Sequence, residues 1–258
     1  MLTCSLLRPE AGLPGVLVRS AMTEQEQFHF YSRLCAGARG SLEAQRLMSR
    51  EPPPEYRPWP LCVWRHPFTD ETNSPLDMSP QLELANQLAT RVAAQLRCGD
   101  ECCMKERDER ELLAEALAAT RYDSLLSLLY PAGGIMQPHV DTGLGGLGFA
   151  LSLGAACSFS YGGTETTLRS GDVLFCPFGT VSHEVSQTHS VDSAPDWWHA
   201  LPATPHTEDG LSVSHFGRAR CTVQIRDLRQ RDESVANTVK KKLGRQLGHK
   251  VRRRRETV

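Results

Sequence analysis

The stretch of sequence that decides the fold is residues 220–226, which read RCTVQIR. Alternate side chains of a β-strand point to opposite faces, so this pattern predicts a half-buried strand. Its apolar face is formed by Cys221, Val223 and Ile225, and its polar face by Arg220, Thr222, Gln224 and Arg226. If the polar face points into a barrel, its two guanidinium groups need an anionic partner, which a dicarboxylate supplies through bidentate contacts. The alternative is a solvent-facing edge strand.

Several short strand-like runs precede this stretch and share its character. They lie at residues 124–130, 149–153, 156–161, 164–168 and 172–177, and Gly133-Gly134, Gly162-Gly163 and Ser170-Gly171 mark turns between them. Short strands at this spacing are typical of an all-β sandwich such as a jelly roll.

The first half of the chain has a helical character instead. After a turn and short strand at residues 13–20, Thr23 and Glu26 form a capping box that predicts a helix to about Cys35. An amphipathic helix begins at Ser79-Pro80, residues 98–110 are predicted to loop out as a charged insertion, and residues 111–119 are predicted to be helical.

The fold class expected from these patterns is α+β, mainly β: a double-stranded β-helix (jelly roll) with flanking N-terminal helices. The expected division is residues 1–121 for helices and a substrate-recognition lid packed on the core, 122–230 for the jelly-roll core, and 231–258 for a basic tail.

The composition is that of an ordinary globular protein, with 40% hydrophobic and 23% charged residues. No apolar stretch reaches the length of a membrane span, so no membrane association is expected. The nine cysteines are odd in number and irregularly spaced, which favours a reducing compartment. Cys98, Cys102 and Cys103 form a local cluster, but a zinc site would need a fourth ligand.

A candidate metal site is indicated by residues 137–141, which read QPHVD. His139 and Asp141 are two residues apart and would share one face of an extended strand. With His183 as third ligand they would form a facial triad, which leaves three positions of an octahedral iron(II) open for a bidentate co-substrate and O₂. His189 is the rival third ligand. The short motif alone is also compatible with two surface or turn residues.

Taken together, these residues resemble the AlkB family of Fe(II)- and 2-oxoglutarate-dependent dioxygenases. That family carries HxD, a distal histidine and then RxNxTxR, and this chain has the two arginines at the same spacing. A tyrosine nine residues before the metal histidine also matches, as Tyr130. The family asparagine two residues before that tyrosine is Leu128 here, and the Asn and Thr of the arginine motif are Thr222 and Gln224.

The resemblance implies Fe(II), 2-oxoglutarate and O₂ as metal and co-substrates, and no catalytic residue beyond the metal centre. The implied metal ligands are His139, Asp141 and His183, and the implied co-substrate residues are Tyr130, Arg220, Thr222 and Arg226. Arg220 would bind the far carboxylate of 2-oxoglutarate, Tyr130 would donate a hydrogen bond to the co-substrate, and Arg226 would line the keto-acid end.

The resemblance also implies oxidative demethylation of N-alkylated bases in DNA or RNA, by a monomer acting on a single-stranded or flipped base. Candidate substrate residues in the expected lid are Trp59, Trp64 and His66, which could stack on a base or pack the lid onto the core. Trp197, Trp198 and His199 lie in an insertion that is either a substrate loop or surface decoration.

The C-terminal tail is strongly basic, with one cluster at residues 240–242 and another at 252–255. This spacing fits a bipartite nuclear import signal or contact with phosphates, and a solvated tail with neither role is a third interpretation. We therefore expect a nuclear location, with mitochondrion or cytoplasm as alternatives. The alternative functions are an AlkB-like oxygenase that acts on protein or tRNA, and a catalytically inactive relative that binds nucleic acid.

Overall fold

A computed structural model describes residues 2–38, 61–66, 78–98, 104–141, 146–201 and 217–228. The strands are β1 (Thr3–Leu7), β2 (Gly15–Arg19), β3 (Leu61–His66), β4 (Ser124–Tyr130), β5 (Met136–His139), β6 (Gly148–Gly154), β7 (Cys157–Tyr161), β8 (Thr164–Leu168), β9 (Val173–Cys176), β10 (His183–Thr188) and β11 (Arg220–Arg226). The helices are α1 (Glu24–Ala38), α2 (Ser79–Arg97), α3 (Met104–Ala119) and the short α4 (Asp196–His199).

The strands form two antiparallel sheets. The larger has seven strands in the order β1-β2-β9-β6-β11-β4-β3, and the smaller has four in the order β5-β10-β7-β8. Buried side chains of both sheets, among them Leu17 and Leu174 of the larger and Cys157 and Phe159 of the smaller, form one apolar cluster between them. The mainly-β, double-stranded β-helix fold with flanking helices is confirmed, and its two sheets do not close into a barrel.

The other face of the seven-stranded sheet is covered by helices. Alternation along the strands sorts the side chains, so that Val16 and Val18 of β2 face the helices while Leu17 faces the smaller sheet. α2 contributes Ala85, Leu88 and Val92 to the helix-side core, and burial of this stripe stabilises the three-layer arrangement.

Strand β11 lies in the middle of the larger sheet, between β6 and β4. The edge-strand alternative is therefore wrong. Cys221, Val223 and Ile225 pack into the helix-side core, so the face with the two arginines points between the sheets. Burying two guanidinium groups costs free energy unless they are paired with anions, so this face of β11 indicates the functional site.

The capping box that was expected to open α1 is present. The backbone N–H of Glu26 donates to Thr23 Oγ1 over 3.3 Å, and the backbone N–H of Thr23 donates to Glu26 Oε2 over 2.7 Å. The helix then runs to Ala38, slightly beyond the predicted end near Cys35.

Residues 104–110, expected to belong to a charged insertion, form the first turns of α3 instead. Several of their charges are paired: Glu106 pairs with Arg110 at 3.1 Å, and Glu109 pairs with Arg8 at 2.9 Å. The buried apolar residues of α3 are Leu113, Ala114 and Leu117, which lie beyond these first turns, so hydrophobic periodicity did not reveal the start of the helix. The pair of Glu106 with Arg110, four residues apart, supports it.

The N-terminal region is part of the same sheet as the core. β1 and β2 extend it beside β9, and β3 pairs with β4. Within the described residues, no helix is long and apolar enough to cross a membrane.

Candidate metal and co-substrate site

The three predicted metal ligands lie together at one end of the four-stranded sheet. His139 ends β5 and His183 begins β10, and the two face each other directly in the antiparallel register. Asp141 follows two residues after His139, with its Oδ1 3.5 Å from His139 Nε2 and 3.8 Å from His183 Nε2. All three ligand atoms lie within 4.8 Å of one another, so one ion can contact all of them.

The tautomers of both histidines suit metal binding. His139 Nδ1 lies 2.8 Å from the carbonyl of Gln137, and His183 Nδ1 lies 3.3 Å from the carbonyl of Val181. Because a carbonyl only accepts, Nδ1 carries the proton in each ring and Nε2 presents its lone pair toward Asp141. This backbone-oriented arrangement is typical of metal-bound histidines.

Burial also keeps the His183 ring neutral. Desolvation, only partly offset by the Asp141 carboxylate, lowers the pKa of His183 to about 4. At neutral pH no proton therefore competes with a metal for this nitrogen.

The Asp141 carboxylate is held by Arg226 of the opposite sheet. The Nη2 and Nε atoms of Arg226 donate to Oδ2 over 2.7 and 3.2 Å, which leaves Oδ1 facing the imidazoles. Arg226 also donates to the Phe149 carbonyl of the large sheet over 2.8 Å through Nη1. The arginine thus presents Asp141 as a ligand with one free oxygen.

A second group, built around Arg220, lies in the same cavity. Arg220 as a residue is 1% exposed, and its guanidinium donates to Thr222 Oγ1 and, over 2.9 Å, to Ser152 Oγ. Its Cζ lies 5.2 Å above the Tyr130 ring, which faces it across the β11–β4 register. Burial raises the pKa of the Tyr130 hydroxyl, so it remains a hydrogen-bond donor.

Among the described residues, no carboxylate pairs with Arg220, and its Nε has no hydrogen-bond partner. A buried cation in that state is costly unless an anion reaches it. The cavity between the sheets is lined both by Arg220 and by His139 and His183, so the two groups share one site. These residues fit Fe(II) bound by two histidines and a carboxylate, with a dicarboxylate such as 2-oxoglutarate between the metal and Arg220.

The structure places the other candidate residues as follows. His189, the rival third ligand, lies outside the triad with Nε2 3.1 Å from Ser158 Oγ. Arg226 does line the cavity, where its guanidinium pairs with the Asp141 carboxylate. Trp64 and His66 belong to β3 and pair through their backbone with Ser127 and Leu125 of β4.

Some predictions lie outside the described residues. These are Trp59, the basic tail from residue 231, and Cys102 and Cys103; Cys98 is exposed at the end of α2.

Trp198 belongs neither to a substrate loop nor to a surface decoration. It is fully buried, 5.2 Å from the Tyr31 ring, and its indole N–H donates to the Arg218 carbonyl over 3.3 Å. The neighbouring Trp197 is half-buried against Phe28 and Tyr31. The two tryptophans attach α4 to α1, since indole rings bury large areas.

Sequence reasoning missed Ser152 and Phe178. Ser152 is a polar residue inside the otherwise apolar run FALSLG, and this exception was the available signal. Phe178 follows β9 in a turn, where nothing in the sequence distinguishes it from an ordinary core aromatic.

No protein-family model and no curated protein matches the chain. One similar solved structure is an oxidoreductase of the 2OG-Fe(II) oxygenase family from Burkholderia pseudomallei, with a TM-score of 0.38 and 13% identity over 83% of this chain and 84% of that one. Another is a prolyl-4-hydroxylase from Pseudomonas putida, with a TM-score of 0.28 and 15% identity over 61% of this chain and 68% of that one.

Proposed function

We propose that this protein is an Fe(II)- and 2-oxoglutarate-dependent dioxygenase that oxidatively demethylates N-alkylated bases in DNA or RNA. The observation that supports the oxygenase class is the shared cavity, which contains a His139, Asp141 and His183 cluster beside the buried cation of Arg220. A two-histidine, one-carboxylate set with open positions is characteristic of non-haem iron(II) oxygenases.

The roles of the protein groups follow from their positions. His139, Asp141 and His183 would hold the metal, and Arg220 with Thr222, Ser152 and Tyr130 would bind the far carboxylate of the co-substrate. Bound Fe(II) with 2-oxoglutarate and O₂ supplies the oxidation, in which the co-substrate becomes succinate and CO₂ and the N-bound carbon gains oxygen and leaves as an aldehyde. The apolar lining by Phe159, Leu174 and Val185 limits the access of water.

The two sheets divide these tasks. The small sheet carries the two histidines, and the large sheet carries Arg220 and the residues around it. Side chains on rigid strands keep their geometry better than side chains on loops, which favours a fixed distance between metal and co-substrate cation.

Nucleic acid as substrate rests on the arginine and histidine motifs shared with the AlkB family and on the basic C-terminal clusters. A base must leave the duplex to reach a metal between two sheets, so single-stranded or flipped bases are the proposed substrates. His139 is the most accessible metal ligand, with 35% of its side chain exposed, and the cavity therefore opens on its side. We further propose action as a monomer in the nucleus, with import directed by the basic clusters.

The test is a turnover assay with defined oligonucleotides. Protein loaded anaerobically with Fe(II) receives O₂, 2-oxoglutarate and single-stranded DNA or RNA that carries methylated adenine or cytosine. Mass spectrometry follows succinate and the demethylated base. His139→Ala is the inactive variant, and His189→Ala is the matched control because His189 lies outside the triad.

Demethylation by the wild type and by His189→Ala, lost in His139→Ala, would support the proposal. Succinate without demethylation of any oligonucleotide would overturn demethylation of single-stranded DNA or RNA and favour an oxygenase that acts on protein or intact tRNA. Absence of succinate under every condition would overturn the enzyme itself and leave a binding protein.

A further inference from the structure

Phe178 contacts three residues of the metal site, namely Asp141, His183 and Arg226. Its backbone carbonyl accepts the N–H of Asp141 over 2.9 Å, its ring centroid lies 4.6 Å from that of His183, and Arg226 Cζ lies 4.5 Å above its face. The ring is buried, with 3% of the residue exposed. A desolvated guanidinium over an aromatic face is a strong contact of its kind.

Gly148, at the start of β6, lies against the Phe178 ring and the Arg226 guanidinium. A Cβ on Gly148 would lie 2.6 Å from Phe178 Cδ2 and 2.9 Å from Arg226 Cζ, closer than real Cβ atoms approach. Gly148 is not among the glycines with positive φ, so an alanine there would act through these contacts and not through backbone strain.

We propose that Phe178 is a positioning residue of the metal site, and that Gly148 keeps the space in which Phe178 and Arg226 stack. The stack fixes the guanidinium plane, the guanidinium occupies Asp141 Oδ2, and Asp141 therefore offers a metal only Oδ1. This inference rests on the proposed function, because it assumes that His139, Asp141 and His183 hold a metal. Without the ring, Arg226 gains freedom and the carboxylate can turn to offer both oxygens.

The experiment is a titration of the metal-free protein with Co(II), followed by the intensity and position of its visible ligand-field bands. The variants are Phe178→Leu, which removes the ring, Gly148→Ala, which displaces it, and Phe178→Tyr, which retains it. Phe175→Leu is the matched control, because Phe175 is equally buried but packs against Phe149 in the helix-side core. Cooperative urea unfolding shows which variants are folded.

We expect Phe178→Leu and Gly148→Ala each to weaken Co(II) binding by about tenfold or more, the usual effect of losing an outer contact to a metal ligand. Both should change the Co(II) bands in the same way, since a carboxylate that becomes bidentate raises the coordination number. Phe178→Tyr should restore the affinity and the bands, and Phe175→Leu should leave both unchanged while it lowers stability.

A folded Phe178→Leu with wild-type Co(II) affinity and bands would overturn the inference. If Phe178→Leu does not fold, Gly148→Ala decides: unchanged bands would overturn the inference and altered bands would support it. A wild-type protein that binds no Co(II) would overturn the proposed metal site itself, so the two failures are distinguishable.

Discussion

Replacing Arg220 by methionine should separate co-substrate binding from folding. The guanidinium would form charge-assisted hydrogen bonds with the far carboxylate of 2-oxoglutarate, and such bonds are worth about 1.5–3 kcal/mol each. Because about 1.4 kcal/mol corresponds to a tenfold change in affinity, the loss of a bidentate contact should weaken binding by about 100-fold or more. Arg220→Lys retains the charge but not the two parallel N–H donors of the guanidinium, so its 2-oxoglutarate affinity should lie between those of the wild type and Arg220→Met.

The same substitution should affect stability little. Arg220 is buried without a carboxylate partner among the described residues, and an apolar side chain of similar volume removes the cost of that buried charge. The hydroxyls of Ser152 and Thr222 lose a donor, at a cost of about 0.5–1.5 kcal/mol each. We therefore expect the free energy of unfolding of the metal-free protein to stay within about 2 kcal/mol of wild type.

The assay is calorimetric titration of 2-oxoglutarate into Mn(II)-loaded protein, paired with urea unfolding of the metal-free protein. Arg107→Met, which removes an exposed arginine from α3, is the control and should change neither quantity. Unchanged 2-oxoglutarate affinity in Arg220→Met would refute Arg220 as the co-substrate cation. A loss of more than about 4 kcal/mol of stability would refute the view that its charge is uncompensated in the free protein.

Three further predictions concern other parts of the site and core. Ser152→Ala should weaken 2-oxoglutarate binding by about two- to tenfold, because Arg220 loses one neutral hydrogen-bond partner. Calorimetry should find the Mn(II) affinity unchanged, and equal losses of both affinities would contradict a role of Ser152 at the co-substrate cation. Burial lowers the pKa of His183 to about 4 in the folded protein, below the unfolded value of 6.5, so His183 should cause a loss of stability of the metal-free protein as pH falls from 6.5 to about 4. Urea unfolding of His183→Gln should lack that slope, and an equal slope would exclude His183 as its source. Trp198→Ala should lower the free energy of unfolding, measured in urea, by about 3–5 kcal/mol and leave the Co(II) affinity of the folded protein unchanged. A stable variant with an altered substrate range would instead support the substrate-loop interpretation.

The strands that could be predicted were those in which the order of apolar and polar residues matches which side chains are buried. β4, β6 and β9 are apolar runs bounded by turns, and β11 alternates, so each could be located from the residues alone. β5 and β10 could not, because MQPH and HEVSQT show neither signal. They become strands through pairing with each other and with β7, which is a tertiary effect that local sequence does not encode.

The part of the site that could be predicted consists of residue types that are unusual in their positions. Two arginines on one face of a strand and an HxD pair are rare enough to point to a buried anion and a metal. The choice between His183 and His189 depended on β10, which the sequence did not reveal, and the structure brings His183 to the cluster. The pairing of Arg226 with Asp141 links residues 85 positions apart in different sheets, and no spacing rule predicts such a contact.

Arg226 also has a consequence for how the two halves of the site communicate. Arg226 of β11, in the large sheet, forms an ion pair with Asp141, which lies beside the two histidines of the small sheet. A metal that fixes Asp141 also fixes Arg226, and Arg226 lies on the same strand face as Arg220. Coupling between two binding sites is reciprocal, so a metal that orders this strand face for the co-substrate must itself be bound more tightly when the co-substrate is present. We therefore expect the metal and the dicarboxylate each to raise the affinity for the other through Arg226, and titration of either ligand with and without the other would measure this coupling.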